Sequence, residues 1–318
     1  MQAFKKILFF ILLFLSFVGM SYKIQAVLLQ NGEFVQPRNK STYQILNEPE
    51  NSIDMVIVGD SLSYSSVSPM ELWKDYGIAS FVCGQTGQTI QETFHMLENV
   101  FKTQSPKLIV LETHTLFKQQ DGMKGIKNTL EEWGNYNIPL LRGHDVWKSY
   151  LAGKRYTENS YKGFSFRCNI DSYKKGDYMF KTEEMQTIPE ISISYMDKIL
   201  KLCREHNAEL LLFSAPSPKN YNYSRHNSIR VYAQKHALEY LNMNLKLQAA
   251  GINWKTDSLD HGDHLNFLGA QKVTSYLGKY LDSHHKLPDH RGEKEYISWE
   301  KLEKQYEEKA QECLKQMS

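Results

Sequence analysis

The sequence predicts an α/β domain, a parallel sheet of about five strands flanked by helices, with a membrane helix before it and an inserted lid region within it. Three observations carry the prediction. Short apolar runs alternate with helix-patterned segments between residues 54 and 111, at the spacing of strands joined by crossover helices. The alternation resumes between residues 191 and 281. The first run, Ile53 to Val58, is rich in β-branched residues and stops abruptly at Gly59-Asp60-Ser61, as a buried strand entering a tight turn does.

The amino terminus comes first in chain order. Lys5 and Lys6 precede an uncharged apolar stretch from Ile7 to Tyr22. As a helix that stretch would span about 24 Å, against a bilayer core of roughly 30 Å. Snorkelling of Lys23 lets Ile24 to Leu29 extend the span. The lysine pair orients this end to the cytoplasm and the rest outside. The alternative is a cleaved signal peptide, with Gly19-Met20-Ser21 as the cleavage site. Both readings export the remainder. The expected organisation is a signal-anchor over 1–29, a stalk over 30–52, the α/β domain over 53–285 and a charged helical tail over 286–318.

Within the domain, Asp54–Val58 is the first strand and Leu62–Ser68 a Ser/Tyr-rich turn. A helix over Pro69–Asp75 follows, with Pro69 at its first position and Ser68 as its cap. Ala79–Cys83 is the second strand, Gly84–Gln88 a glycine-bearing turn, and Thr89–Phe101 a helix with Ile90, Phe94, Leu97 and Phe101 on one face. Leu108–Leu111 is the third strand. From about 115 to 187 regularity lapses, with helical patterning only at Gly125–Trp133 and Asp145–Leu151. This reads as an insertion over the sheet's carboxyl edge. Its aromatics (Trp133, Tyr136, Trp147, Tyr150, Tyr156, Tyr161, Phe164, Phe166) either line a sugar or acyl site or pack a small subdomain. Then come a helix over Ile191–His206, a strand over Leu210–Phe213, a helix over Ser228–His236, a strand over Leu238–Leu241 and a last domain helix over Phe267–Leu281. The tail Ser298–Met317 reads as an amphipathic helix, mostly solvated.

Composition narrows the function. Thirty-eight Lys and Arg against 36 Asp and Glu leave a net charge of +2, with no basic stripe, so nucleic acid is not an expected partner. Four scattered cysteines (Cys83, Cys168, Cys203, Cys313) contain no C-x-x-C pair, which points away from zinc and leaves one or two disulfides open. No metal and no cofactor is expected.

The chemistry lies in two distant stretches. Open α/β sheets place ligands at the carboxyl ends of their strands, where Ser61 sits. A serine there becomes a nucleophile if a histidine reaches it. His264, just before the last domain helix, is the natural base, and Asp260 or Asp263 from the same loop would fix its tautomer. Backbone amides of Ser61 and of a glycine in the turn after the second strand are the candidate oxyanion donors.

These stretches together resemble the SGNH/GDSL hydrolase superfamily. Val58-Gly59-Asp60-Ser61 resembles its first signature block and Cys83 to Thr89 its second. Asp260 to His264, running on as Leu265-Asn266 and a Gly-Ala helix start, resembles its last. The resemblance implies a flavodoxin-like three-layer fold, a Ser61–His264–Asp260 triad with Asp263 as fallback, and Gly87 as an oxyanion donor. Two departures stand out. The family's aspartate lies three positions before the histidine, where this chain has His261. The block that carries an oxyanion asparagine is replaced by Leu111-Glu112-Thr113-His114, so Thr113 or His114 takes that part or the hole has two donors. This pattern fits a membrane-anchored branch similar to surface-polymer acylation proteins. The resemblance then implies an extracytoplasmic serine esterase or O-acyltransferase. Its partners would be an acylated carbohydrate or cell-wall polymer, the membrane, and an acyl-donating membrane protein. The alternative is a non-catalytic surface glycan-binding or assembly module on the same fold. A phosphoesterase is a weaker third, since no Arg/Lys clamp marks the site.

Overall fold

The computed structural model describes residues 2–30, 32–118, 122–138, 144–156 and 160–317. Its centre is a five-stranded, wholly parallel sheet of β1 (Met55–Gly59), β2 (Ser80–Gly84), β3 (Leu108–Glu112), β4 (Glu209–Ser214) and β5 (Glu239–Asn242), in the order β2-β1-β3-β4-β5. Helices flank this sheet, as the sequence predicts. All residues of β1, β2 and β3 are buried, which is why their sequences are unbroken apolar runs rather than alternating ones. The chain order reverses between β1 and β3, and the crevice outside their carboxyl ends is the switch point of such a sheet.

The crossovers are well capped. The helix Ile90–Val100 opens with a capping box, Thr89 and Glu92 each accepting the other's backbone N–H. The helix Tyr223–Lys235 starts five residues before the expected Ser228, because the Asn222 side chain accepts the Arg225 amide and caps a polar first turn. Pro69–Tyr76 begins at Pro69 as expected, but Ser68 does not cap it with its side chain. Its hydroxyl is bonded instead to the Tyr306 hydroxyl at 2.8 Å.

Three further differences from the sequence reading bear on the site. Most of Leu62–Ser68, expected as a turn, belongs to a short helix, α1 (Ser61–Ser66), whose N-cap Asp60 accepts the Leu62 amide at 2.9 Å. The carboxyl-terminal helix, α2 (Ile297–Met317), keeps the exposed charged side its pattern predicts, but it is docked on the domain and cross-linked to it, which its sequence does not show. Trp299 and Tyr306 are buried, Trp299 against Trp73, and Cys313 is bonded to Cys168 across 145 residues. Cys83 and Cys203 are free and buried. The insertion's aromatics divide. Tyr161, Phe164 and Phe166 pack with Tyr306, and Phe164 and Phe166 also with Phe267. Trp133 and Tyr150 are exposed. The side chain of Trp147 lies outside the described residues.

Gln2–Gln30 is one continuous helix. Its segment Phe4–Lys23, with mean hydropathy 1.9, is long and apolar enough to cross a membrane.

Candidate active site

Ser61 is the first residue of α1, directly after β1 and Asp60. The position follows from the local sequence. Gly59 has φ +153°, and a Cβ on it would lie 2.5 Å from the Cβ of Glu112, so only glycine lets β1 and β3 approach so closely here. Asp60 then turns the chain into α1 by capping it. The first-turn amide of Ser61 has no partner within its own helix, which leaves it available to an acceptor.

His264 arrives from the other end of the chain. It sits in a two-stranded antiparallel ribbon, Ser258–Leu259 with His264–Leu265, immediately before the helix Phe267–His284. That helix is capped by Asn266, whose side chain accepts the Gly269 amide. The ribbon's loop puts His264 Nε2 2.8 Å from Ser61 Oγ.

Asp260 Oδ2 lies 3.0 Å from His264 Nδ1. The loop reaches this geometry through two consecutive non-glycine residues in the left-handed region, Asp260 and His261, both at φ +54°. This accounts for the aspartate lying four positions before the histidine. Asp263, the fallback, is held elsewhere: its carboxylate accepts from the Asn220 amide at 2.6 Å, and its carbonyl accepts from the Ser217 hydroxyl at 2.7 Å. His261 pairs with Asp171 at the surface. Burial depresses the pKa of His264, and the Arg167 cation lowers it further, against opposing pulls from Asp263 and Asp260. The imidazole is therefore neutral near pH 7, the form in which Nε2 accepts a proton from serine.

No protein-family model matches the chain, and no curated protein matches it. Solved structures do. A protein described as an acylhydrolase from Bacteroides fragilis aligns over 76% of this chain and 94% of its own, at 11% identity and TM-score 0.41. A GDSL-like lipase from Bacteroides thetaiotaomicron aligns over 79% and 99%, at 13% identity and TM-score 0.41. A protein described as a platelet activating factor from Streptococcus pneumonia aligns over 83% and 99%, at 13% identity and TM-score 0.39. At so low an identity the chemistry must be read from this chain's own side chains.

The remaining sequence candidates fare differently. Gly87 lies at φ +68° in the loop after β2, with open space where a Cβ would stand. That loop is tied across the site: the Gln85 amide donates to Gly59 O at 3.3 Å, and the Thr86 hydroxyl bonds the Tyr64 hydroxyl at 2.8 Å. Thr113 is fully buried, and its hydroxyl is committed to Ser214 at 2.6 Å and Tyr221 at 2.8 Å. That commitment removes the Thr113 side chain as an oxyanion donor. His114 is held by Nδ1, 2.7 Å from Asp60 Oδ2, and Nε2 makes no hydrogen bond among the described residues.

Sequence reasoning missed two features. One is the charge cluster under Ser61. Asp60 is buried and pairs with both His114 and Lys118, and although burial pushes its pKa up, those two partners hold it well below the usual carboxylate range. Neighbouring Glu112 is pushed up by burial and by the Asp60 charge, and it accepts from the Tyr221 hydroxyl and the His114 amide. The other feature is Arg167, with Nη1 3.7 Å from Asp260 and the guanidinium over the Tyr64 ring. Glu112 and His114 close the third strand, which was a usable signal. Arg167 stands alone in the insertion and had none.

Proposed function

We propose that the chain is an extracytoplasmic serine esterase or O-acyltransferase of the SGNH/GDSL kind, acting on acyl esters of cell-surface carbohydrate or polymer. The observation that carries this reading is the 2.8 Å contact between Ser61 Oγ and His264 Nε2, with Nδ1 of the same ring 3.0 Å from Asp260. Nδ1–H donates to the carboxylate, so Nε2 presents its lone pair to the serine hydroxyl.

Ser61 Oγ attacks the ester carbonyl carbon as its proton passes to Nε2. The carbonyl oxygen takes up the negative charge, facing the Ser61 amide, with the Gly87 amide as a further donor. Collapse breaks the bond to the leaving alkoxide, which takes the proton from Nε2, and an acyl-serine remains. Water or a glycan hydroxyl then attacks the acyl carbon, giving its proton to Nε2. The second collapse frees Ser61, which recovers that proton. Water yields an acid and a glycan hydroxyl yields a new ester. In the transfer reading, an acyl-donating membrane protein loads the serine. The apolar helix Gln2–Gln30 supports a membrane anchor or an export signal, with the domain outside the cell.

Ser61→Ala tests the mechanism directly. Turnover of small acyl esters by the full-length protein in detergent is expected to fall at least ~1000-fold, and a fluorophosphonate probe is expected to label Ser61 in the wild type alone. Unchanged turnover in the variant eliminates the mechanism. A wild type that neither turns over nor takes the probe, yet binds glycan, is the non-catalytic module instead.

A further inference from the structure

A cleft of about 650 Å³ opens beside the Ser61–His264 pair. Neither Ser61 nor His264 lines it, but two of its lining residues adjoin the site. Tyr64 is one helical turn beyond Ser61 on α1, and Arg167 lies 3.7 Å from the carboxylate that holds His264. Four cations line the cleft, Arg38, Lys40, Arg167 and Lys309, and among the described residues no aspartate or glutamate does. The chain as a whole is nearly neutral, at +2, so this is a local concentration of charge and not a share of a basic surface. Arg38, Lys40 and Lys309 each have a partner, Glu92 at 2.7 Å for Arg38 and Glu312 at 3.1 Å for Lys309, and neither of these two carboxylates lines the cleft.

Arg167 is the most telling of the four. Its Nε is buried and has no acceptor among the described residues, and its nearest carboxylate is too far for a hydrogen bond. A buried guanidinium N–H without an acceptor is costly, and the planar fork is shaped for a carboxylate or a phosphate. Its place is firmly set. Its carbonyl accepts the Phe267 amide at 2.9 Å, and the next residue, Cys168, is bonded to Cys313 on α2. Tyr64 and Tyr161 add aromatic surface to the wall. A concave, single-sign lining raises the local concentration of oppositely charged ligand.

We propose that this cleft binds the polymer substrate by its negative charge, so that the acyl-exchanged polymer is one that carries carboxylate or phosphate groups along its chain. This deepens the acyl-exchange reading and rests on it for the polymer's role as acceptor or ester. Arg167, beside the carboxylate that holds His264, receives the anionic group nearest the hydroxyl that exchanges its acyl group. Arg38, Lys40 and Lys309 take those further along.

The test uses the full-length protein in detergent and three defined probes of similar length: oligogalacturonate, oligo(glycerol phosphate) and neutral dextran. At least one polyanion is expected to bind and dextran not to, with polyanion affinity falling at least about tenfold between 50 and 300 mM salt. Carboxylate and phosphate are told apart by which oligomer binds more tightly. Lys309→Glu is expected to weaken that binding roughly fivefold or more. Should Lys309→Glu misfold by circular dichroism, Lys309→Gln and the wild-type salt dependence decide. Dextran binding as tightly as the polyanions overturns the proposal. So does failure of both polyanions to bind, an unaltered affinity in a folded Lys309 variant, or binding confined to anionic lipid vesicles. Fluorophosphonate labelling of Ser61, run in parallel, separates the two readings. Labelling without polyanion binding defeats the cleft proposal alone, and polyanion binding without labelling defeats the acyl chemistry alone.

Discussion

Asp260 and Asp263 flank the same loop, and the proposed chemistry needs only one of them. Asp260→Asn removes the charge facing His264 Nδ1 while keeping the side chain's shape. When the ring becomes imidazolium in the transition state, its attraction to a carboxylate across about 4 Å is worth roughly 1 kcal/mol in water and about 4 kcal/mol at an effective dielectric of 20. The Asp260 side chain is 49% exposed, which puts it in the lower part of that range, about 1–2.5 kcal/mol, or roughly 5- to 70-fold in kcat/KM. Asp263→Asn removes its link to Asn220 and its through-space pull on His264 but no hydrogen bond to the ring, and should cost less in kcat/KM than Asp260→Asn. A p-nitrophenyl ester supplies the assay. The pH profile adds an independent readout. Asp260 raises the pKa of His264, so Asp260→Asn is expected to move the acid limb of kcat/KM to lower pH. A loss at Asp263 equal to or greater than that at Asp260, or an acid limb that moves up, refutes Asp260 as the orienting acid.

The other predictions concern stability. Replacing Cys168 and Cys313 by serine releases a closure across 145 residues and should cost about 2–5 kcal/mol in urea unfolding; a change under about 1 kcal/mol contradicts it. Trp299→Ala empties a fully buried site against Trp73 and should cost about 3–5 kcal/mol, read by the same unfolding curve. Asp60→Asn leaves Lys118 without its buried counter-charge and should cost about 3–5 kcal/mol near neutral pH. The native pKa of Asp60 is depressed, so its contribution is present above the ordinary carboxylate range and is lost as pH falls below it. The stability gap between wild type and Asp60→Asn should therefore close in acid, and a gap that widens there defeats the assignment.

Strands β1 to β4 were legible because each is buried almost throughout and so reads as an apolar run between turns. Ser61 and His264 were legible as ends of elements, since a parallel sheet gathers the carboxyl ends of its strands. The residues that were not legible owe their state to partners distant in sequence. Six residues of Ser-Leu-Ser-Tyr-Ser-Ser carry no helical periodicity, and α1 forms because Asp60 caps it and Ser63 donates to Asp60 O at 2.7 Å. The carboxyl-terminal helix shows an amphipathic pattern, but nothing in residues 298–317 says what covers the apolar side. Trp73, Ser68 and Cys168 supply that cover from far upstream. Thr113 and His114 are neighbours with interchangeable chemistry on paper, and only the Tyr221 and Asp60 contacts separate their roles.

These contacts also explain how a serine on so short a helix is held still. A six-residue helix has no stability of its own, and an apolar seat for Ser61 would shut its hydroxyl away from substrate. The seat is built from charge instead. Gly59 brings β3 against β1, which sets the segment after Glu112 beside Asp60. Asp60 then spends one carboxylate oxygen on the cap of α1 and the other on His114 and Lys118. Ionised Asp60 would be unstable in this burial without those two donors, and Glu112 beside it is driven toward its neutral form by the same burial and charge. Ser61 thus inherits its position from its neighbour and keeps its own side chain for His264. Glycine, aspartate and serine act as one unit there: the first admits the strand, the second locks the turn, and the third is left half-buried with its hydroxyl on His264.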